Sequence, residues 1–428
     1  MLDADIAGRD RALDFRWGVP ASILEVSGIP DVSDKLYDQA RRSVLAAACI
    51  AADECPAAPD AWWISFSRRK AFYKDAHRYQ GLPYTYERVT RGVDERVTRG
   101  VDEHVAMGLL EEERAAPASH LLATPRQSRY RATPELLRLF QDAPFEYRRR
   151  PCTLLVRDGD GRPVTMPETQ ALGRMRKQVA RINAYLQGSR LALGTGDGWE
   201  HGTRTVRARS ERRHRSGRPP GWATVTPEPV AEVCRIFSRG RTDKNGRLYG
   251  WWQQLPKARR RECLINGEVL VEPDFTALHP TLLYAMRGHV LRHDPYVTGT
   301  YHRDDGKLAL NVALNARTLH EAAACLVHNP DWGHGLDYTW GCLKAVQKRN
   351  PAIAKDIGSD RGIGLMRIDS DMAVSVLGAC EKAGIPALPV HDSFMVPASQ
   401  GARVEEIMDE ILTRTVNKLR SSTSTTNA

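Results

Sequence analysis

The spacing of apolar residues changes along the chain and predicts helices mixed with short strands. An alanine-rich run from Ser43 to Ala52 predicts a helix within an N-terminal helical segment, residues 1–60. The aromatic and basic run from Trp62 to Val89 predicts a helix, a turn at Gly81 and a second helix capped near Thr85. Two short strands around a proline-containing loop are predicted to follow.

Helix, turn, helix and hairpin is the element order of a winged helix-turn-helix, which we predict over residues 61–145. In that fold the second helix enters a DNA major groove and the hairpin, or wing, lies near phosphates. Arg126, Arg129 and Arg131 are the candidate phosphate contacts on this wing. An ordinary helical subdomain with an exposed hairpin is the alternative.

Two further regions are predicted downstream. Residues 146–230 are predicted to form a helical, basic region and linker, with a helix from about Glu168 to Gln187 and a loop or hairpin from His201 to Pro220. Residues 231–428 combine strand-like and helical apolar runs, so we predict an α+β fold.

Composition narrows the class of protein. The chain has 428 residues, of which 42% are hydrophobic and 27% charged, so we expect a soluble globular protein of several domains and no membrane partner. The N-terminus has no secretory pattern, and the eight cysteines form no CxxC pair. We therefore expect a reducing cytoplasm, in a bacterial or phage-like context, and neither a disulfide framework nor a zinc knuckle.

Positive charge is concentrated in one segment. Residues 201–261 hold 16 Lys and Arg against 4 Asp and Glu, a formal charge of +12. The whole chain carries +10, so the rest of the chain is slightly acidic. Such a segment is typical of a phosphate-rich partner, and Arg204, Arg207 and Arg209 are candidate DNA contacts. A solvated basic loop is the alternative.

Two aspartates lie where strands end. Asp274 follows an apolar strand, Val269 to Val271, and precedes an apolar helix, while Asp392 lies at the predicted tip of a hairpin between two apolar runs. On adjacent strands such a pair can hold two divalent ions ~3.5 to 4 Å apart, the geometry for nucleotidyl transfer. Alternatively, Asp274 caps the following helix and Asp392 belongs to an ordinary turn.

Between the aspartates, Arg303 and Lys307 are four residues apart and project from one helix face. A pair of cations there suits a triphosphate, although a solvated helix face is the alternative. Trp251 and Trp252 suit either stacking on nucleic acid or packing in the core.

Three motifs in this order resemble family A DNA polymerases. The segment NGRLYGWWQQLPKARRRECLINGEVLVEPDFTALHP is similar to the run that joins a Gly-Arg-Leu motif, a Leu-Gln-x-Ile-Pro-like turn and the first metal-binding aspartate of that family. LPVHDSFMVP resembles the second metal motif, in a form closer to single-subunit phage-type RNA polymerases. The spacing of Arg303 and Lys307 matches the fingers-helix motif, and the resemblance covers about residues 230–415.

The resemblance implies a right-hand polymerase palm with compact helical fingers over residues 231–428, preceded by a thumb-like region over residues 146–230. It implies that Asp274 and Asp392, with the backbone carbonyl of Phe275, bind two Mg²⁺ ions, for which Mn²⁺ is an alternative.

The resemblance also assigns substrate contacts. Arg303 and Lys307 would hold the incoming triphosphate, and Lys307 would donate a proton to pyrophosphate. His279, five residues after the first aspartate, would meet the ribose and exclude a 2′-OH, which favours dNTPs. The candidate nucleic-acid contacts in this half are Arg247, Gln254 and His391.

The chain also departs from the family pattern. Asn315 and Asn311 occupy nucleotide-facing positions where the family has aromatic residues, and Ser393 stands where DNA polymerases have glutamate. The Asp305-Gly306 pair is expected to interrupt or start the fingers helix, since glycine weakens a helix interior by ~1 kcal/mol.

The sequence thus predicts a template-dependent nucleotidyltransferase, a compact DNA polymerase that extends a primer 3′-OH with dNTPs on a DNA primer-template. A single-subunit RNA polymerase or primase that uses rNTPs is the first alternative. The second is a catalytically inactive DNA-binding factor for replication or regulation.

Overall fold

Helices and several small sheets make up the chain, which is an α+β protein as the sequence predicts. The computed structural model describes residues 11–13, 16–54, 62–66, 93–115, 128–149, 153–161, 163–211 and 221–426. The α-helices are α1 (Ala21–Val26), α2 (Lys35–Asp53), α3 (Val93–Ala106), α4 (Pro134–Leu139), α5 (Gln170–Leu186), α6 (Lys257–Arg260), α7 (Leu278–Met286), α8 (Arg303–Asn315), α9 (Leu319–Val327), α10 (Leu336–Arg349), α11 (Gly362–Ala383) and α12 (Gly401–Thr426).

The strands are short, and most pair antiparallel. They are β1 (Arg11–Ala12), β2 (Trp17–Gly18), β3 (Ile64–Phe66), β4 (Leu110–Glu113), β5 (Ser128–Ala132), β6 (Glu146–Tyr147), β7 (Leu154–Val156), β8 (Leu191–Ala192), β9 (Trp199–His201), β10 (Val206–Arg209), β11 (Trp222–Val225), β12 (Cys234–Ser238), β13 (Arg241–Tyr249), β14 (Leu264–Ile265), β15 (Glu268–Val271), β16 (Leu388–Val390) and β17 (Ser393–Pro397). Short 3₁₀ helices cover Trp251–Gln254, Pro351–Asp356 and Ala398–Gln400.

An N-terminal unit is built on a sheet of order β1-β3-β5-β4, against which α2 packs together with α3. Strands β4 and β5 form an antiparallel hairpin after α3, as predicted, and α2 contains the predicted alanine-rich helix. Its apolar core includes Val44, Phe66, Val97, Tyr130 and Leu136.

The helix predicted to begin at Trp62 is wrong at its start, because residues Ile64–Phe66 form strand β3. Ile64 and Phe66 are buried while Ser65 between them is half-buried, so the local apolar period is two, as in a strand. The predicted turn at Gly81, the cap at Thr85 and the wing residue Arg126 lie outside the described residues.

The C-terminal half is built on a sheet of order β16-β17-β15-β14-β8, beside which α7, α11 and α12 pack on one another. Strand β15 contains the predicted apolar strand, and β16 and β17 form the predicted hairpin. The predicted helix near Glu168 to Gln187 is α5.

Trp251 and Trp252 are buried in the core, and the Trp252 indole N–H donates to the Pro389 carbonyl at 2.9 Å. Of the two roles open from the sequence, both residues therefore have the core-packing role.

Arg204 connects the N-terminal unit to the segment before β10. Its guanidinium donates to both carboxylate oxygens of Asp53, at 2.5 and 2.9 Å, and to the Phe140 carbonyl at 2.6 Å. Only 7% of its side chain is exposed. The prediction that Arg204 contacts nucleic acid is therefore wrong, because this guanidinium is committed inside the protein.

Helix α8 begins at Arg303 and runs unbroken through the Asp305-Gly306 pair, so this pair lies near the start of the helix, as one of the two expectations had it, and does not interrupt it. A methyl group at Gly306 would lie 2.2 Å from the backbone oxygen of Tyr296. Glycine at this position therefore lets the preceding loop pack directly on the helix.

We expect Gly306→Ala to lower the free energy of unfolding by about 2 kcal/mol, because the added methyl would overlap backbone that cannot move freely. Gly378 in α11 is a matched control, since a methyl group added there would meet nothing within 4 Å. Gly378→Ala should raise the free energy of unfolding by up to about 1 kcal/mol. Urea denaturation measures both, and equal effects would contradict the packing argument.

Candidate active site

The two candidate metal-binding aspartates lie on paired backbone segments at the end of the sheet. Asp274 forms an isolated antiparallel β-bridge with Ser393, the residue after Asp392. The Phe275 N–H donates to the Asp392 carbonyl at 3.4 Å, and the Phe394 N–H donates to the Pro273 carbonyl at 3.1 Å. The structure therefore brings together the two carboxylates that are 118 residues apart in the chain.

Residues in the left-handed backbone region flank both aspartates. Ala277, three residues after Asp274, has φ 50°, and His391, one residue before Asp392, has φ 59°. Such values are uncommon for side chains larger than glycine. Ala277 is the N-cap of α7 and no side chain caps that helix, so the alternative in which Asp274 is a helix cap does not hold.

Partial burial of the carboxyl group, followed by the charge of Asp392, raises the pKa of Asp274 to about 6, although the residue keeps an exposed surface. Lys257 and Lys307 act in the opposite direction, which places one cation from α6 and one from α8 within electrostatic range of Asp274. The pair of carboxylates is thus only partly compensated by the protein. Lys257 was not identified from the sequence, because it lies in a basic run without a motif of its own.

A third carboxylate, Glu272, is close by but already engaged. It accepts from Nε and Nη2 of Arg260 at 3.0 and 2.8 Å and from the Ser393 hydroxyl at 2.9 Å. Although burial acts against ionisation, these contacts lower the pKa of Glu272. Ser393 therefore positions a buried ion pair instead of supplying a metal ligand.

The remaining donor set suits a hard cation. Among the described residues, no group of three or more His, Cys, Asp or Glu side chains is arranged to hold a metal ion. Mg²⁺ is commonly held by one or two carboxylates, with water and substrate phosphates completing its shell. Asp274 and Asp392 fit that pattern, and the Phe275 carbonyl as a further ligand stays a prediction.

Helix α8 presents a polar stripe and buries its other face. Residues at successive spacings of four are exposed, while Ala309, Leu310, Ala313 and Leu314 are buried. The exposed stripe consists of Arg303, Lys307, Asn311 and Asn315. All four predicted nucleotide contacts on this helix therefore share one side.

Arg303, at the start of this stripe, is held by the loop before α8. Its Nε donates to Asp294 at 2.7 Å, and its guanidinium lies 5.2 Å from the ring centre of Tyr296. Burial, with the charges of Asp294, Asp392 and Asp274 contributing, raises the pKa of Tyr296 to about 12. Tyr296 thus lies within electrostatic range of both aspartates, and no sequence motif indicated it.

Arg247 and His279, predicted to contact the primer-template and the ribose, share one buried carboxylate partner. Arg247 donates to Asp369 from Nη2 at 2.6 Å, and Nε2 of His279 lies 2.8 Å from the same carboxylate oxygen. Asp369 lies in the middle of α11 and is buried. No motif marks it, so this contact could not be identified from the sequence.

The last nucleic-acid candidates of this half lie near the carboxylates or at the surface. His391 contacts Tyr249 edge to face at 5.7 Å, and its Nδ1 is buried without a hydrogen-bond partner among the described groups. Burial, then the charge of Arg247, lowers the pKa of His391. Gln254 is exposed at the end of its 3₁₀ helix.

The wing arginines are engaged across the β4–β5 hairpin. Arg129 donates to Glu113 at 2.7 Å and Arg131 to Glu111 at 2.8 Å. Both guanidinium groups also lie over the ring of Trp63, at 4.6 and 4.7 Å. Their predicted phosphate contacts would have to compete with these ion pairs.

Much of the basic segment is likewise neutralised internally. Arg207 pairs with Glu200 and lies over the Trp222 ring at 4.9 Å, whereas Arg209 is exposed and makes no ion pair among the described residues. The described cations of residues 201–261 that pair with carboxylates are Arg204, Arg207, Arg235, Arg239, Arg241, Arg247, Arg259 and Arg260.

Comparisons of the sequence with known proteins assign no family to the chain. No model of a known protein family matches the sequence, and no curated protein matches it. In the part of the chain that the structure describes, no helix is long and apolar enough to cross a membrane.

The raised pKa of Asp274 means that its ionisation opposes folding of the metal-free protein. The unfolded state ionises near pH 4 and the folded state near pH 6, so this destabilisation is complete above about pH 6 and absent below about pH 4. With EDTA at pH 8, Asp274→Asn should raise the free energy of unfolding by about 1 kcal/mol, a value reduced for solvent screening.

Urea denaturation at pH 8 and at low pH tests this expectation, and the gain should vanish at low pH. Asp409→Asn, an exposed site on α12, is the control. A variant at Asp274 that is less stable than the wild type at pH 8 would contradict the expectation.

Substitutions of Arg204 and Arg209 should distinguish a structural arginine of the basic segment from one that is available to bind DNA. Arg204→Ala leaves Asp53 unpaired and should lower the free energy of unfolding by about 3 kcal/mol. Arg209→Ala should change stability by less than about 0.5 kcal/mol. If Arg209 contacts phosphate, this substitution should also reduce the slope of log affinity for duplex DNA against log salt by about 1.

Urea denaturation and fluorescence anisotropy at several salt concentrations provide the two measurements. An unchanged salt slope for Arg209→Ala would exclude its phosphate contact, and wild-type stability for Arg204→Ala would exclude a structural role for its ion pair.

Proposed function

We propose that this protein is a template-dependent nucleotidyltransferase, and specifically a compact DNA polymerase. The observation that carries the proposal is the pairing of Asp274 with the Asp392 hairpin at a sheet end, within electrostatic range of Lys307 on α8. Paired carboxylates with a nearby cation suit a reaction in which a primer hydroxyl attacks a nucleotide phosphate.

In this proposal Asp274 and Asp392 hold Mg²⁺, or Mn²⁺ in its place. When bound, such ions would lower the pKa of the primer 3′-OH, whose proton would pass to water, and would neutralise charge on the phosphates. The polar stripe of α8 orients the triphosphate, because it places two cations and two amides along one exposed face. Lys307 donates a proton to the departing pyrophosphate.

The surrounding fold is compatible with a polymerase. The β16-β17-β15-β14-β8 sheet with α7, α11 and α12 would form the palm, and α8 to α10 would form the fingers. In the N-terminal unit, the order α2, β3, α3, β4 and β5, with β5 between β3 and β4, supports a winged helix-turn-helix. The basic region with α5 would then act as the thumb.

Extension of a labelled primer on a DNA template, with Mg²⁺ and either dNTPs or rNTPs, tests the proposal. Wild-type protein should extend the primer with dNTPs, and Asp392→Asn should reduce the rate by about 10³-fold or more. The same substitution should leave affinity for the primer-template largely intact. Asp409→Asn serves as the matched control, since Asp409 is an exposed carboxylate on α12.

Other outcomes would reassign the protein. Preference for rNTPs, or products without a primer, would identify an RNA polymerase or primase. Binding of a defined duplex with no incorporation under either metal would identify a DNA-binding factor. Full activity of Asp392→Asn would overturn the metal assignment.

A further inference from the structure

One buried carboxylate connects two residues of the candidate site. Asp369, on α11, has only 1% of its surface exposed. Arg247, from β13, donates to it from Nη2 at 2.6 Å and from Nε at 3.2 and 3.3 Å. His279, from α7, contacts it through Nε2 at 2.8 Å. A strand and two helices therefore meet at one carboxylate.

This bonding fixes the orientation of both partners. A carboxylate beside an arginine accepts hydrogen bonds, so the protonated Nε2 of His279 donates a hydrogen bond to Asp369. Rotation of the ring would leave a buried oxygen with fewer partners, which is costly. Arg247 uses two nitrogens on Asp369, and this fork fixes the plane of its guanidinium.

The cluster adjoins the paired aspartates. Burial acts to lower the pKa of Arg247, but the hydrogen bond and charge of Asp369, with a contribution from Asp392, raise it overall. The charges of Arg247 and Asp369 both act on His391, which precedes Asp392. A change at Asp369 would therefore alter the electrostatic environment of His391 and Asp392.

We propose that Asp369 is a positioning residue that sets sugar discrimination, by fixing the ring of His279, and primer alignment, by fixing Arg247. This inference rests on the proposed function. His279 would exclude a 2′-OH effectively only with its ring held in one place, and Asp369 is the hydrogen-bond partner that holds it. Because Asp369 is buried, it acts through its two partners and does not touch the substrate.

The test compares wild type with Asp369→Asn, His279→Ala and the double variant. The readouts are the ratio of kcat/KM for a dNTP to that for the matching rNTP, and KM for each nucleotide. Asp369→Asn should lower the ratio about tenfold, as loss of a residue that orients a site residue commonly does. The double variant should lose no more than His279→Ala alone, because both act on the same ring.

Asp371→Asn is the matched control on the same helix. Asp371 is exposed, pairs with Arg235 and Arg367, and has no contact with His279 or Arg247 among the described groups. Its substitution should leave the ratio unchanged. A general loosening of α11 would instead change the ratio in both variants and would overturn the specific role of Asp369.

Asp369→Asn leaves Arg247 without its buried counter-charge, so a folding defect is a real outcome. Asp369→Glu keeps the charge and moves the carboxylate by one methylene, and it too should lower the ratio. A folded variant of either kind with the wild-type ratio would overturn the proposal. Loss of folding in both, judged by thermal melting, would assign Asp369 a purely structural role.

Failure of the proposed function gives a different result. Wild-type protein would then neither incorporate nor bind nucleotides, with binding measured by titration of a fluorescent dNTP. The positioning role would fall with it. If wild type discriminates between sugars and Asp369→Asn discriminates equally, only the positioning role fails.

Discussion

The pairing of residues 273–275 with residues 392–394 is the constraint on which the rest of the site depends. Two backbone hydrogen bonds hold these segments together, so the backbone positions that carry the two carboxylates cannot move apart to reduce repulsion. Ala277 and His391 hold left-handed conformations beside them, each at a cost of about 1 kcal/mol or more. Like charges and strained backbone persist only where the surrounding structure enforces them, here the β15–β17 ladder and the core beneath it. That combination is typical of a site built for a ligand that relieves the repulsion.

Among the described residues of segment 201–261, most of the positive charge is paired with carboxylates of the protein. Several of these carboxylates come from distant segments, as Asp53 does for Arg204 and Asp371 for Arg235. The concentration of arginine in the sequence therefore overstates the field available to a nucleic acid. Among the described residues, exposed cations without a carboxylate partner include Arg209, and Lys257 and Lys307 add positive charge beside the aspartates.

Local patterns predicted the elements that carry the aspartates, because a strand, a tight hairpin and an amphipathic helix are each encoded over a few residues. Strand β15, the β16–β17 hairpin and the exposed stripe of α8 all follow from such patterns. Partners of buried charges could not be predicted, since tertiary packing alone brings Asp369 to Arg247 and His279. The helix predicted from Trp62 failed for a related reason: three residues of period two pair with β5, and that pairing outweighs the helical character of the longer run.

The position of α8 relative to the aspartates depends on contacts beneath the helix. Asp305, buried in its first turn, accepts from the Tyr338 hydroxyl at 2.7 Å, and that residue contacts Tyr301 edge to face. Above it, the Tyr296 backbone rests on Gly306, and the Tyr296 side chain lies against Arg303. Aromatic residues thus reach this region from the loop before α8, while the helix itself presents amides at Asn311 and Asn315. If the site binds a nucleotide, stacking on the base cannot come from those two positions, and selectivity must depend more heavily on how firmly His279 is held.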